Sequence, residues 1–267
     1  AVGVSRDDLV ILPSFTFIAS ANAIAHCGAL PWLFDVSRES WTLDPEKLKK
    51  ELQHEAEKID GHLIHKKTGR RVVAIMPVYT LGQPADMDAI KEVAQQYQIP
   101  VIADAAAALG SRYKGNNIGS LADLTVFSFN GNKTITAGGG GMVVGDDENL
   151  LSLARHLSTT ARVGADYDHD RVGFNYRMTN LQAAVGCAQI ERLDEFVSSK
   201  RRIDEEYQKA FKDLRGIGFF PKPSWSKSVC WFAGILLKDT AEITVPEACE
   251  RLNKKGVGAR TFWKPIH

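Results

Sequence analysis

The sequence has few cysteines and no excess of charge of either sign. Its 267 residues include four widely separated cysteines and no CxxC pair. This spacing is typical of reduced thiols rather than of a disulfide framework, and it predicts a cytoplasmic protein. Lys and Arg number 33 against 32 Asp and Glu, for a formal net charge of +1. Because no long basic run is present, the sequence predicts neither a nucleic-acid partner nor a membrane partner.

Long apolar runs are also missing. The longest stretch without a charged residue, Leu9 to Phe34, is interrupted by Pro13 and Pro31. A membrane-spanning helix needs about 20 mostly apolar residues, so this stretch is typical of buried core. Arg6 and Asp7 break the opening residues, and no signal-peptide pattern is present there.

Several catalytic motifs are absent. The sequence contains no Walker A loop, no GxGxxG that opens a helix, and no GxSxG elbow. His54-Glu55 resembles the start of an HExxH zinc motif, but Lys58 stands where the second histidine belongs. The charged segment His54–Lys67 is therefore predicted to be a solvated connection, and no metal site is predicted.

Short β-branched runs alternate with helical patterns through the first two thirds of the chain. The segment Asp86 to Gln98 has helical periodicity, with Asp86 placed to cap its start, and a second helix begins near Asp44-Pro45. This alternation predicts an α/β fold with parallel strands. The predicted strands are Leu9–Leu12, Leu30–Phe34, Val72–Met76, Val101–Ala103, Leu124–Phe129 and Met142–Val144.

The last third of the chain has a different pattern. A long amphipathic helix or helix pair is predicted from Asn180 to about Leu214. Strands are predicted at Val229–Leu237 and Val257–Thr261, around a helix near Pro246–Lys254. We interpret this tail as the beginning of a second, α+β region.

Two strand ends carry side chains with catalytic chemistry. Asp104 closes an apolar strand, where a carboxylate could hold a metal, act as a base, pair with a cationic ring nitrogen, or only cap a helix. Lys133 lies in the polar turn that follows the strand ending at Phe129. A lysine that is partly removed from water has a lowered pKa and becomes a nucleophile toward carbonyl groups, although most loop lysines are solvated.

A glycine run follows the lysine turn directly. Gly138–Gly141 leads into a strand-like segment rather than a helix, so the run does not fit the known nucleotide-binding loops. Four glycines permit positive φ angles and a close approach of the backbone to a bound ring or phosphate. The alternative is that they form a hinge.

A series of ordered segments resembles the DegT/DnrJ/EryC1/StrS family of sugar aminotransferases. These segments are Pro13–Ala23, Gly82–Asp88, Asp104–Ala106, Phe127–Phe129 with Lys133, Gly173–Arg177 and Gln182–Ala184, and the resemblance extends over nearly the whole chain. The resemblance implies the type I, aspartate aminotransferase fold of pyridoxal-phosphate enzymes, with a mostly parallel central sheet and helices on both faces. It implies a large cofactor-binding domain over residues 1–195, followed at 196–267 by a linker helix and part of a small α+β C-terminal domain.

The resemblance also implies a role for individual residues. Lys133 matches the lysine that bonds to the cofactor and moves protons, and Asp104 matches the carboxylate that pairs with the pyridine nitrogen. Phe17 matches an aromatic ring that stacks on the cofactor, unless it is an ordinary core residue. Ser128 matches a hydroxyl that binds the phosphate. Asn175 matches an amide that reaches the phosphate from the neighbouring subunit, which implies a homodimer with shared active sites.

Two positions depart from the common family pattern. Ala107 stands where many relatives place His or Gln against the cofactor's phenolic oxygen, and Gly139 replaces an acidic residue of the glycine turn. Together with the segments Ser128–Gly141 and Phe262–His267, these departures resemble the branch that makes 4-amino sugars of the bacillosamine and legionaminic acid type.

The resemblance predicts an aminotransferase that transfers an amino group from glutamate to a 4-keto-6-deoxy nucleotide sugar, UDP-linked, for cell-surface glycan biosynthesis. The alternatives are a non-catalytic or dehydratase-like relative, and a nicotinamide-dependent sugar epimerase or dehydrogenase. Lys133 argues against the dehydratases, which replace this lysine with histidine. Ala1–Asp8 resembles the interior of the family pattern, and the chain stops within the small domain. We therefore expect a central piece of a longer enzyme.

Overall fold

The structure is a computed structural model that describes residues 1–267. Its seven α-helices are α1 (Ile18–His26), α2 (Pro45–Glu55), α3 (Met87–Tyr97), α4 (Glu148–Ser158), α5 (Asn180–Ile190), α6 (Leu193–Phe211) and α7 (Val245–Lys254). Its strands are β1 (Leu9–Pro13), β2 (Leu30–Phe34), β3 (Ala56–Ile59), β4 (His62–His65), β5 (Arg70–Ile75), β6 (Ile102–Asp104), β7 (Arg112–Tyr113), β8 (Asn116–Asn117), β9 (Leu124–Ser128), β10 (Gly141–Val144), β11 (Arg162–Val163), β12 (Asp168–His169), β13 (Ile217–Gly218), β14 (Ser226–Lys227) and β15 (Leu236–Leu237).

Parallel pairing dominates the centre of the molecule. Strands β2, β1 and β5 pair in parallel in that order, and β6 pairs in parallel with β9. Isolated parallel bridges from Ile75 to Val101 and from Val78 to Asp104 join the two groups. Strand β10 runs antiparallel to β9 at the far edge. The predicted mostly parallel sheet is therefore confirmed.

Helices cover both faces of this sheet. Along β1, Leu9 and Ile11 belong to one buried cluster, whereas Val10 and Leu12 belong to another. Successive side chains of a strand point to opposite faces, so the two clusters lie on opposite sides of the sheet. The first cluster contains the buried faces of α2 and α3, and the second contains Ile24 of α1. Burial on both sides explains why β1 is apolar at every position.

The segment predicted to be a solvated connection is instead a hairpin, so that prediction was wrong. Strands β3 and β4 pair antiparallel, and β4 continues the sheet along the start of β5. Leu63 and His65 point inward and are buried, and the His65 ring lies 4.6 Å from the ring of Trp32. Strand β3 is exposed at three of its four positions, and the outward Ile64 of β4 is apolar, so neither strand shows the two-residue alternation in the sequence.

The two strands predicted in the tail were also largely wrong. Only Leu236–Leu237 of the first forms a strand, and residues 257–261 form none. Val229 and Trp231 are buried against Leu81 and Ala107 instead. Side-chain packing, rather than sheet pairing, accounts for the apolar character of this segment. No helix of the structure is both long enough and apolar enough to cross a membrane.

Helix α3 begins with an indirect cap. Asp86 occupies the N-cap position but makes no capping hydrogen bond itself. Instead, the Tyr113 hydroxyl donates to Asp86 Oδ1 (2.8 Å) and accepts from the backbone N–H of Asp88 (3.2 Å). Burial raises the pKa of Tyr113 to about 12, so the hydroxyl remains a donor at neutral pH.

We expect Tyr113→Phe to lower the free energy of unfolding by about 1 kcal/mol, because it removes both hydrogen bonds at the start of α3. Urea denaturation measures this change. Tyr79→Phe is the matched control, since the Tyr79 hydroxyl is buried without a partner and its removal should cost no stability. Equal losses for the two variants would contradict the assigned cap.

Candidate active site

The register of β6 and β9 places three candidate side chains at the same sheet edge. Asp104, the last residue of β6, pairs with Val126 of β9. Strand β9 ends two residues later at Ser128, and the turn that follows carries Lys133. Ligands of open parallel sheets bind at the carboxyl ends of the strands. The structure thus brings Asp104, Ser128 and Lys133 to the edge where such a ligand would lie.

Two donors orient the carboxylate of Asp104. The Ser20 hydroxyl, on α1, donates to Asp104 Oδ2 (2.7 Å), and the backbone N–H of Ala106 donates to Oδ1 (3.0 Å). Ser20 is buried, and its hydroxyl lies 2.9 Å from that of Thr16, which precedes α1. Helix α1 therefore holds the carboxylate in one orientation, and each oxygen keeps a lone pair for a further donor.

Lys133 is partly removed from water. Desolvation lowers the pKa of its amine, and the negative charge of Asp104 offsets part of that change. Its Nζ lies 4.0 Å from the centre of the Trp231 ring. A lysine amine with a lowered pKa is the nucleophile that a carbonyl carbon requires.

The other predicted site residues occupy different environments. Phe17 precedes α1 and is 54% exposed, with its ring 5.6 Å from the ring of Trp263. Ala107 is buried in the cluster of Leu81 and Trp231. Asn175 is exposed and forms an isolated bridge with Thr159.

No hydrogen bond joins Asn175 to Asp104, Ser128 or Lys133 within one chain. Contact from a neighbouring subunit, as the resemblance implies, stays a prediction. The cofactor contacts of Phe17, Ala107 and Ser128 stay predictions as well. The Ser128 hydroxyl accepts from the backbone N–H of Asn130 (3.3 Å), at the rim of the lysine turn.

The glycine run approaches its own neighbouring strand closely. A side chain at Gly141 would place its Cβ 2.4 Å from the Phe127 carbonyl oxygen, and Gly138 and Gly140 have positive φ angles of 75° and 78°. The run lets β10 return tightly along β9, which keeps the lysine turn short and close to the sheet.

Sequence reasoning missed three residues of the site. Ser20 lies in the first turn of α1 and Thr16 lies just before that helix, so the sequence offered only the proximity of two hydroxyls at a helix start as a signal. No sequence pattern indicated Trp231, because only the tertiary packing of the C-terminal third of the chain brings its ring to Lys133.

The donor set fits pyridoxal phosphate. The site offers a desolvated amine for the aldehyde carbon, an oriented carboxylate for the pyridine nitrogen, and a serine hydroxyl at the strand end for the phosphate. The oxygens of Asp104 retain capacity for one more hydrogen bond, which the protonated ring nitrogen can supply.

Comparison with known proteins agrees with this geometry. The model of the DegT/DnrJ/EryC1/StrS aminotransferase family matches residues 1–267. The chain belongs to this family. Pyridoxal phosphate is the cofactor of the family, and the predicted fold and cofactor are therefore confirmed. The family is one of transaminases, the enzyme class predicted from the sequence.

Individual relatives cover the whole chain. EpsN of Bacillus subtilis (strain 168), whose name assigns it to the pyridoxal phosphate-dependent aminotransferases, is 37% identical over 265 residues, which are 99% of this chain and 65% of EpsN. GDP-perosamine synthase of Escherichia coli O157:H7 is 37% identical over 268 residues, covering 100% of this chain and 68% of the relative. A DegT DnrJ EryC1 StrS aminotransferase structure from Brucella abortus, 25% identical, superposes with a TM-score of 0.88 and covers 100% of this chain and 68% of the other. The chain spans about two thirds of the length of these relatives.

The link between Asp104 and Lys133 can be tested by titration. We expect Asp104→Asn to lower the pKa of Lys133 further, because it removes the negative charge that stabilises the ammonium. The pH dependence of Lys133 labelling by an amine reagent, followed by mass spectrometry without cofactor, measures the midpoint. In Asp123→Asn, a control at the opposite end of β6, the midpoint should stay unchanged. A midpoint that rises or does not move in Asp104→Asn would contradict the assigned electrostatics.

Proposed function

We propose that this chain carries the catalytic centre of an aminotransferase that moves an amino group from glutamate to a 4-keto-6-deoxy nucleotide sugar. The observation that supports this most directly is the desolvated amine of Lys133 beside the oriented carboxylate of Asp104. When bound, pyridoxal phosphate supplies an electron-withdrawing ring that lets a proton leave carbon. Because the chain belongs to an aminotransferase family, a nicotinamide-dependent sugar epimerase or dehydrogenase is no longer supported.

The chain's own residues have separable roles in this proposal. With pyridoxal phosphate bound, the Lys133 amine would hold its aldehyde carbon and, when free, would move a proton at the reacting carbons. The Asp104 carboxylate would keep the ring nitrogen protonated, and Ser20 fixes the orientation of that carboxylate. Burial of the amine excludes water, which strengthens the attraction between the two charged groups.

The nucleotide of the substrate is the finer part of the proposal. The Ser128–Gly141 and Phe262–His267 segments support a UDP-linked sugar by their resemblance to the 4-amino-sugar branch. A GDP-linked sugar is the second candidate, because relatives at 37% and 38% identity are named GDP-perosamine synthases. A role in cell-surface glycan biosynthesis and a cytoplasmic location remain parts of the same proposal, the latter supported by the cysteine spacing.

A homodimer is also proposed, supported by an exposed apolar surface. Helix α5 carries no buried residue although much of it is apolar, and Leu181 is 82% exposed. Val172 and Tyr176, in the loop before the helix, are likewise exposed. An apolar surface of this kind is typical of a protein interface, and a second copy covering it could carry Asn175 to the neighbouring phosphate site.

Lys133→Ala tests the catalytic assignment. The variant should lose the visible absorbance that wild-type protein gains with pyridoxal phosphate, and it should lose transfer from glutamate to a panel of UDP-, GDP- and dTDP-linked 4-keto sugars. Lys209→Ala, at an exposed lysine of α6, is the control and should behave like wild type. Normal turnover in Lys133→Ala would contradict the proposal, and the preferred panel member identifies the nucleotide.

Mixing two inactive variants tests the shared site. Lys133→Ala and Asn175→Ala should each be impaired, and subunit exchange should form hybrid dimers with one intact site. The mixture should then regain about one quarter of the wild-type activity, because half of the dimers are hybrids and each has one complete site of two. No recovery after proven subunit exchange would contradict the shared arrangement.

A further inference from the structure

A tryptophan from the tail covers the amine of Lys133. Trp231 is only 4% exposed, and its indole N–H donates to the carbonyl of Asn132 (2.7 Å), the residue before the lysine. The Lys133 Nζ stands 4.0 Å from the ring centre. A cation within about 6 Å of an indole face is attracted by the negative face of the ring.

The position of Trp231 is fixed by groups other than Lys133. On α6, Lys200 Nζ donates to the Trp231 carbonyl (3.0 Å), and Arg201 Nε donates to the Ser228 carbonyl (2.8 Å). The Trp231 backbone N–H donates to the Leu81 carbonyl (3.2 Å). Because these hydrogen bonds hold the backbone around Trp231, the position of its ring does not depend on the contact with Lys133.

Glycine at position 82 permits the same packing. A Cβ there would stand 2.5 Å from Val229 Cγ1 and 2.7 Å from the Ala107 carbonyl oxygen. Because Gly82 has no side chain, Val229 packs directly against the loop that follows β5. This close packing brings the nearby Trp231 ring over Lys133.

The amine of Lys133 has no other close partner. Within the chain, Asp104 acts on its Nζ through charge and not through a hydrogen bond. Burial removes part of the hydration of this amine, so a further favourable contact stabilises the ammonium form. The face of Trp231 is the group in contact.

We propose that Trp231 is a positioning residue for Lys133. Its ring face holds the amine in place whenever the amine is not bonded to the cofactor, so that the lysine stays aligned to carry a proton and to bond again. This inference rests on the proposed function, because transamination requires the lysine amine to be free for part of each cycle.

Fluorescence of the protein without pyridoxal phosphate tests the contact. Lys133→Met removes the charge and keeps the side-chain length, and it should alter the tryptophan emission spectrum. The change should vanish in a Trp231→Phe background and persist in a Trp225→Phe background. Trp225 is the matched control because its indole N–H also donates to a backbone carbonyl, that of Pro84 (3.2 Å). No change in Lys133→Met, or a change that survives in Trp231→Phe, would overturn the proposal.

Steady-state kinetics test the positioning role. Trp231→Phe and Trp231→Leu both lose the bond to Asn132, but only Phe keeps an aromatic face. We expect Trp231→Leu to lower kcat about five-fold or more relative to Trp231→Phe, with the KM values for glutamate and sugar little changed. A raised KM with unchanged kcat would overturn the proposal, because it would make the ring a substrate contact. The fluorescence test needs neither turnover nor the Leu variant, so failure of the proposed function is distinguishable from failure of this inference.

Discussion

The parallel pairing of β6 with β9 is the interaction on which the site depends. Its register sets Asp104 beside Val126, so that the carboxylate and the turn with Lys133 emerge at one edge of the sheet. A slip of one residue would turn Asp104 to the opposite face. The packing on both faces of the sheet resists such a slip, because it would move Ala103 out of the cluster on one face and Ile102 out of the cluster on the other. The chemistry of the site therefore rests on core packing several residues away.

Elements outside the sheet complete the site from two directions. Helix α1 supplies Ser20 to orient the carboxylate, and α6 holds the backbone of the segment that ends in Trp231. The amine is thus enclosed by an anion on one side and an aromatic face on another. Desolvation lowers its pKa while both neighbours favour the charged form, and this balance keeps the amine available for both proton transfer and bonding.

Much of the fold could be predicted from the sequence because the apolar strands are short, buried and regularly spaced. The predicted β2 matches the structure, and Asp104 and Lys133 could be selected as candidate site residues because strand ends are where ligands bind. The β3–β4 hairpin was missed because β3 is mostly exposed and β4 has the apolar Ile64 at an outward position, so neither strand alternates in the sequence. Trp231 could not be predicted, since its contact with Lys133 depends on how the tail packs. The role of Asn175 involves a second subunit, which a single chain does not contain.

We infer that Lys133 is the one lysine whose surroundings favour a bond to pyridoxal phosphate. Incubation with the cofactor, borohydride reduction and peptide mass mapping test it directly. Lys200 is an internal comparison, because desolvation lowers its pKa as well but no carboxylate is paired with it. We expect the reduced cofactor on Lys133 and none on Lys200. Modification of Lys200, or of many exposed lysines to the same extent as Lys133, would contradict it.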